Sequence, residues 1–178
     1  MDVDALKGRV AEALVEGIFR RAGYQVSRVG RESYVQRLVK IGGDEFLPDF
    51  LLWKPVEAKG SKRRLHRLLV LEVKYRSNLR IALRKDSVAE LSKVRDQWPE
   101  LYYVFVTDRP DEGRSCFQVL DLSKYLDGTQ PTTADLYQLR ELDIYRKTVE
   151  EYESLVKEIF PLLSGRGRRG TPAEKPTK

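Results

Sequence analysis

Glu72-Val73-Lys74 ends an otherwise apolar run, Leu68-Leu69-Val70-Leu71, and Asp49 stands behind Pro48 with twenty-two residues between it and Glu72. In an extended strand alternate residues share a face, so Leu68, Val70, Glu72 and Lys74 line one side. Two charges therefore fall where the sheet should still be covered. That is costly unless they are paired, hydrogen-bonded or bound to a metal. Asp49 poses the same problem within Phe46-Leu47-Pro48-Asp49-Phe50-Leu51-Leu52-Trp53. Pro48 has no amide to give to a ladder, so it should begin or break its strand and leave Asp49 at a bend.

Two carboxylates on neighbouring strands and a lysine two residues on suit the hydrolysis of a phosphodiester. Magnesium takes hard oxygen ligands and retains several waters. Asp49 and Glu72 can supply such oxygens, and the Val73 carbonyl another. Lys74 can orient the attacking water or stabilise charge on the phosphoryl group as it is transferred. An isolated Glu-x-Lys on a strand, by contrast, reads as a structural ion pair, and a lone Asp after Pro as a cap. The combination and its order carry the reading.

The elements expected to position these residues run in a definite order. A helix over 4–22 carries Leu6, Val10, Leu14, Val15, Ile18 and Phe19 on one stripe, and Gly23 stops it. Strands are expected at 24–29, 34–41 and 46–53, the last two joined by a Gly42-Gly43-Asp44 turn. A basic loop over 59–64 precedes a central strand at 68–75. A helix over 86–98, strands at 101–107 and 116–122, and a last helix over 133–160, continuous or with a break, complete an α/β chain. The expected fold is a central mixed β-sheet flanked by helices.

This set, Pro48-Asp49 followed by Glu72-Val73-Lys74 on strands after a first helix bearing Glu12, resembles the PD-(D/E)xK nuclease superfamily. The likeness covers roughly residues 5–122. It implies a restriction-endonuclease-like core and a Mg2+-dependent deoxyribonuclease, with Mn2+ as a substitute. Within the superfamily, Lys7-Gly8-Arg9-Val10-Ala11-Glu12 with Gly23-Tyr24 further on is most similar to archaeal-type Holliday junction resolvases. That resemblance implies Glu12 as a further metal-site glutamate, with Glu16, on the same helical face, as the alternative. It also places Arg28 at a strand end facing phosphates. The middle of the chain, 34–46 and 59–67, is longer than in those enzymes.

The 178 residues carry a net charge of +6, but four of those charges belong to the tail after Ser164. The distribution is more telling. From Lys59 to Lys85 ten Lys or Arg residues face a single acid, Glu72. Such a field attracts phosphates, and Lys62, Arg63, Arg64, Arg76 and Arg80 are the expected DNA contacts. A solvated loop beside a lysine-protected strand edge fits the charge alone equally well.

Residues 1–163 are expected to form one nuclease domain and 164–178 a disordered basic tail with nothing to pack. Cys116, the only cysteine, excludes an internal disulfide and a cysteine-rich zinc site. With no apolar run long enough to span a bilayer, the chain reads as intracellular, cytoplasmic and nucleoid-associated. The expected partner is DNA, with branched DNA preferred. A restriction-like or repair nuclease acting on linear duplex or DNA ends is the alternative, and a non-catalytic DNA-binding module the third. A junction resolvase must make two symmetric cuts, so a homodimer is expected. The apolar 101–106 strand and the long final helix are expected to supply part of its interface.

Overall fold

The computed structural model describes residues 2–29, 46–56, 65–84 and 88–165. The expected strand at 34–41, the Gly42-Gly43-Asp44 turn, Lys62, Arg63, Arg64 and residues 166–178 of the tail lie outside these.

The first helix, α1 (Val3–Arg21), forms much as its periodicity requires. Asp2 caps it by accepting from the Asp4 amide at 3.0 Å, and Gly23 leaves it at φ +87°. Ala11, Leu14, Val15, Ile18 and Phe19 make the buried stripe. Among the described residues, six strands follow as one sheet: β1 (Gln25–Arg28), β2 (Phe50–Val56), β3 (Leu65–Tyr75), β4 (Leu101–Val106), β5 (Phe117–Asp121) and β6 (Ala134–Asp135). They lie in sequence order. Every neighbouring pair is antiparallel except β3–β4, which is parallel and makes the sheet mixed. That parallel step needs a crossover, supplied here by a one-turn helix, α2 (Leu79–Ala82), and by α3 (Val88–Gln97).

Period-two alternation divides the core between the two faces of the sheet. Leu69, Leu71, Val73 and Tyr75 of β3 pack with α1 and with the last helix, α4 (Arg146–Leu163). Leu101, Tyr103 and Phe105 of β4 turn the other way, onto Leu79, Leu83, Leu91 and Val94 around α2 and α3. Each large side chain fully buried in this way contributes about 1.5–3 kcal/mol relative to exposure.

Besides the β2–β3 pair running on to Val56 and Leu65, three features depart from the expected layout. β2 starts at Phe50 rather than residue 46, because Pro48 cannot join the ladder; 46–49 instead crosses the α3 side of the sheet, where Trp98 Nε1 donates to the Phe46 carbonyl at 3.1 Å. The one-turn α2, capped by Asn78, adds a short helix ahead of the expected one. Finally, α4 begins at Arg146, not near residue 133. The Asp135 carboxylate draws this segment onto the sheet by accepting from Arg114 and the Ser115 amide, and Asp143, in the left-handed region at φ 50°, ends any helical run before it. Two 3-10 turns, Leu136–Gln138 and Arg140–Leu142, fill the interval.

Candidate active site

Beyond the Phe50–Leu71 register pair, β3 continues but β2 does not. The chain before Phe50 swings away at Pro48, so the β2-facing edge of β3 loses its strand partner at Val73. Asp49 fills that role with its side chain: its Oδ2 accepts from the Val73 amide at 2.7 Å. The Asp49 amide in turn donates to Glu72 Oε2 at 3.1 Å. A strand residue's N–H and C=O point to the same edge, so the Val73 carbonyl also faces this opening.

Glu72 is buried at 3% exposure and ion-pairs through Oε1 with Lys74 Nζ, which is about one-third exposed. Burial first, and the negative charge of Asp49 second, push the Glu72 carboxyl up to about 7, against the pull of Lys74. Buried Tyr103, opposite Glu72 in β4, has its phenol raised by burial and then by Glu72.

Lys74, Val73, Tyr75, Arg76 and Glu12 line a cleft of about 390 Å³. Glu12 and Glu16 are told apart by their partners. Glu16 is engaged by Arg20 at 2.8 Å and by Arg28 at 2.7 Å, whereas among the described residues Glu12 pairs only with an outer nitrogen of Arg28, at 3.3 Å, and faces the cleft. Burial and then Asp49 raise the Glu12 carboxyl. Arg28, stacked on the Phe50 ring at 5.2 Å, thus spends its guanidinium on orienting the two glutamates. Arg76 lies on the cleft wall, donating to the Tyr75 carbonyl at 2.8 Å, while Arg80 lies beyond it, loosely paired with Asp111 at 3.5 Å.

Among the described residues no group of three or more His, Cys, Asp or Glu side chains is gathered closely enough to hold a metal. Glu12 is therefore near Asp49 without joining it and Glu72 in one cluster. The Asp49–Glu72 pair still fits a hard divalent cation. It brings two carboxylates and a backbone carbonyl, all oxygen donors, and Lys74 offsets only one of its negative charges. Magnesium is commonly held by one or two carboxylates, with water and substrate oxygens completing the shell.

One feature of the surroundings is invisible to strand and helix periodicity. Lys7, 4% exposed, donates to Tyr75 Oη at 2.9 Å and to Asp108 Oδ2 at 3.0 Å, and Tyr75 donates to Asp108 Oδ1 at 3.0 Å. This triangle fastens α1, and with it Glu12, to the ends of β3 and β4. Its traces in the sequence are the phenol of Tyr75 closing one apolar strand, the charge of Asp108 soon after another, and a lysine one helical turn ahead of the buried Ala11.

No family model matches the chain, and no curated protein matches it.

Proposed function

We propose that this protein is a divalent-metal-dependent nuclease that hydrolyses DNA phosphodiester bonds on a restriction-endonuclease-like core, with branched DNA preferred and a homodimer as the working form. The observation carrying this reading is the meeting of Asp49, Glu72 and Lys74 where β2 leaves β3, with Lys74 on the wall of a cleft that Arg76, Asp4 and Glu12 also line.

Asp49 and Glu72, with the Val73 carbonyl, would hold the cation. When bound, Mg2+ or Mn2+ supplies positive charge that polarises the phosphodiester. The chain's own groups do the rest. Lys74 Nζ, fixed by Glu72, is a donor aimed into the cleft that can hold the attacking water or a developing oxyanion. Arg76 adds a positive charge for a substrate phosphate, and Glu12 stands across the cleft as a further carboxylate.

A panel of labelled four-way junction, flap, single strand and linear duplex, incubated with Mg2+ or Mn2+, tests the reading. Cleavage should need the metal, be greatest on the junction, and vanish in Lys74→Ala. A folded wild-type protein that cuts none of these, or Lys74→Ala that cuts as fast, removes the nuclease reading. Preference for linear duplex retains the nuclease and removes the junction.

A further inference from the structure

Ser77, next to Arg76, lines both the cleft beside Lys74 and a second cleft of about 510 Å³, so the two are neighbours along the chain that leaves β3. Arg80, Leu83, Arg109, Arg114 and Pro131 are among the walls of the second cleft, and Asp111 stands at its edge. Its size is in the range that admits one nucleotide or a small molecule.

The three arginines are not equivalent. Arg114 is committed: Nε donates to Asp135 at 2.8 Å and Nη2 to the Thr133 carbonyl at 2.9 Å, so it braces the wall. Arg109 is exposed, its backbone amide donates to Thr107 Oγ1 at 3.1 Å, and among the described residues its guanidinium joins no ion pair. Arg80 meets Asp111 at 3.5 Å, but their side chains are 77% and 63% exposed. A pair so open to water is worth little and is easily exchanged for another anion. Two guanidiniums suited to bidentate contact with phosphate therefore stand in a cleft that shares Ser77 with the one beside Lys74.

We propose that this second cleft is a subsite for the phosphate backbone of the DNA strand lying in the Lys74 cleft, with Arg80 and Arg109 as its phosphate contacts. The identity of that strand rests on the nuclease reading. Asp111 acts as a weak internal competitor that the phosphate displaces from Arg80. The subsite would fix the strand on one side of the scissile bond, so its loss weakens binding.

Fluorescence anisotropy of a labelled DNA duplex, with Ca2+ in place of Mg2+, reads binding without relying on cleavage. The Arg80→Ala/Arg109→Ala variant should bind about ten-fold more weakly, with the slope of log K against log salt lowered by about 2. Asp111→Asn should bind about two- to three-fold more tightly, on the order expected for removing one like charge near a phosphate site. Arg146→Ala, on α4 and outside both clefts, should bind as wild type. All substituted residues are at the surface, so circular dichroism and melting temperature should not move. A double arginine variant that binds like wild type overturns the subsite, as does an equal loss in Arg146→Ala. Wild-type protein that never cleaves while the double variant still loses affinity overturns the nuclease reading and retains the subsite. Cleavage with unchanged binding in the double variant does the reverse.

Discussion

The Asp49 carboxylate accepts the Val73 amide at 2.7 Å, replacing with a side chain the strand partner that Pro48 removes. The residue proposed to bind a cation thus also closes the sheet at the place where the cation would sit. Structure and chemistry can be separated there by two substitutions. Asp49→Asn keeps an oxygen that can accept from Val73, so its stability should stay within about 1 kcal/mol of wild type. Asp49→Ala strands a partly buried amide and should cost about 1–3 kcal/mol. Both should lose cleavage, because neither supplies an anionic ligand. Urea unfolding of the two variants beside a cleavage assay measures the split. Full cleavage by Asp49→Asn would remove Asp49 from the metal site.

Lys74→Ala leaves a buried Glu72 without its cation. Because Lys74 is about one-third exposed, the loss should fall below the roughly 3–5 kcal/mol that breaking a fully buried pair costs. Adding Glu72→Gln removes the orphaned charge and should restore much of that stability. It should restore no cleavage. Denaturant midpoints for the single and double variants give the first result and single-turnover cleavage the second. A double variant that regains activity would show Lys74 acting only on the fold.

The Lys7–Tyr75–Asp108 triangle predicts a pH dependence away from the proposed chemistry. Burial alone would raise the Asp108 carboxyl, but hydrogen bonds from Lys7 and Tyr75 outweigh it and hold the group below the usual range. Stabilisation from a depressed carboxyl is present above the ordinary value of about 4 and is lost as pH falls through the folded one. Lys7 runs the opposite way. Burial would lower its ammonium, yet the bonds to Tyr75 and Asp108 leave it raised, so its contribution persists at neutral pH and is lost only as pH rises past that raised value. Asp108→Asn should therefore flatten the acid limb of the stability profile. Lys7→Met, which leaves Asp108 without its cation, should cost about 3–5 kcal/mol at neutral pH. Urea midpoints from neutrality down to about pH 3 test both. Identical acid limbs for wild type and Asp108→Asn would show that the triangle does not set the acid sensitivity.

How far the sequence could be read depends on what each signal measures. Asp49, Val73, Glu72 and Lys74 are brought together as their types and order imply, because Pro48 and a charged end to an apolar strand are local features with local consequences. α1 is legible from its long helical stripe and β4 from its unbroken apolar run, both local signals. The interval 133–145 is not. Leu136, Leu142 and Ile144 look helical by spacing, but a long-range bond from Arg114 to Asp135 and the left-handed Asp143 decide its path. Arg28 can be placed at a strand end, yet nothing local shows that Glu12 and Glu16 engage it. Arg109 escapes notice because the turn after β4, and not a cluster of charge in the sequence, brings it beside Arg80.

The homodimer is expected partly from surplus apolar surface on the 101–106 strand and the final helix, and the fold uses most of that surface internally. Leu101, Val104 and Val106, with Leu136, Leu142, Val149 and Val156, are fully buried within the single chain. What remains on α4 is Leu155 and Leu162, at 39% and 61% exposure and seven residues apart on one face. A pair this small makes a modest interface unless polar neighbours extend it, since a stable dimer buries about 800 Å² per partner. The two-cut requirement nevertheless predicts association, at least on DNA, and these leucines are where it should be felt. Light scattering should give twice the 20.6 kDa of one chain when a four-way junction is present, after the mass of the DNA is subtracted. Leu155→Glu/Leu162→Glu should return the protein to one chain and convert paired cuts into single nicks, with only a small fall in melting temperature because Leu162 is mostly and Leu155 partly open to water. A wild-type protein that stays at 20.6 kDa on the junction removes the resolvase reading and leaves a nuclease that nicks one strand at a time.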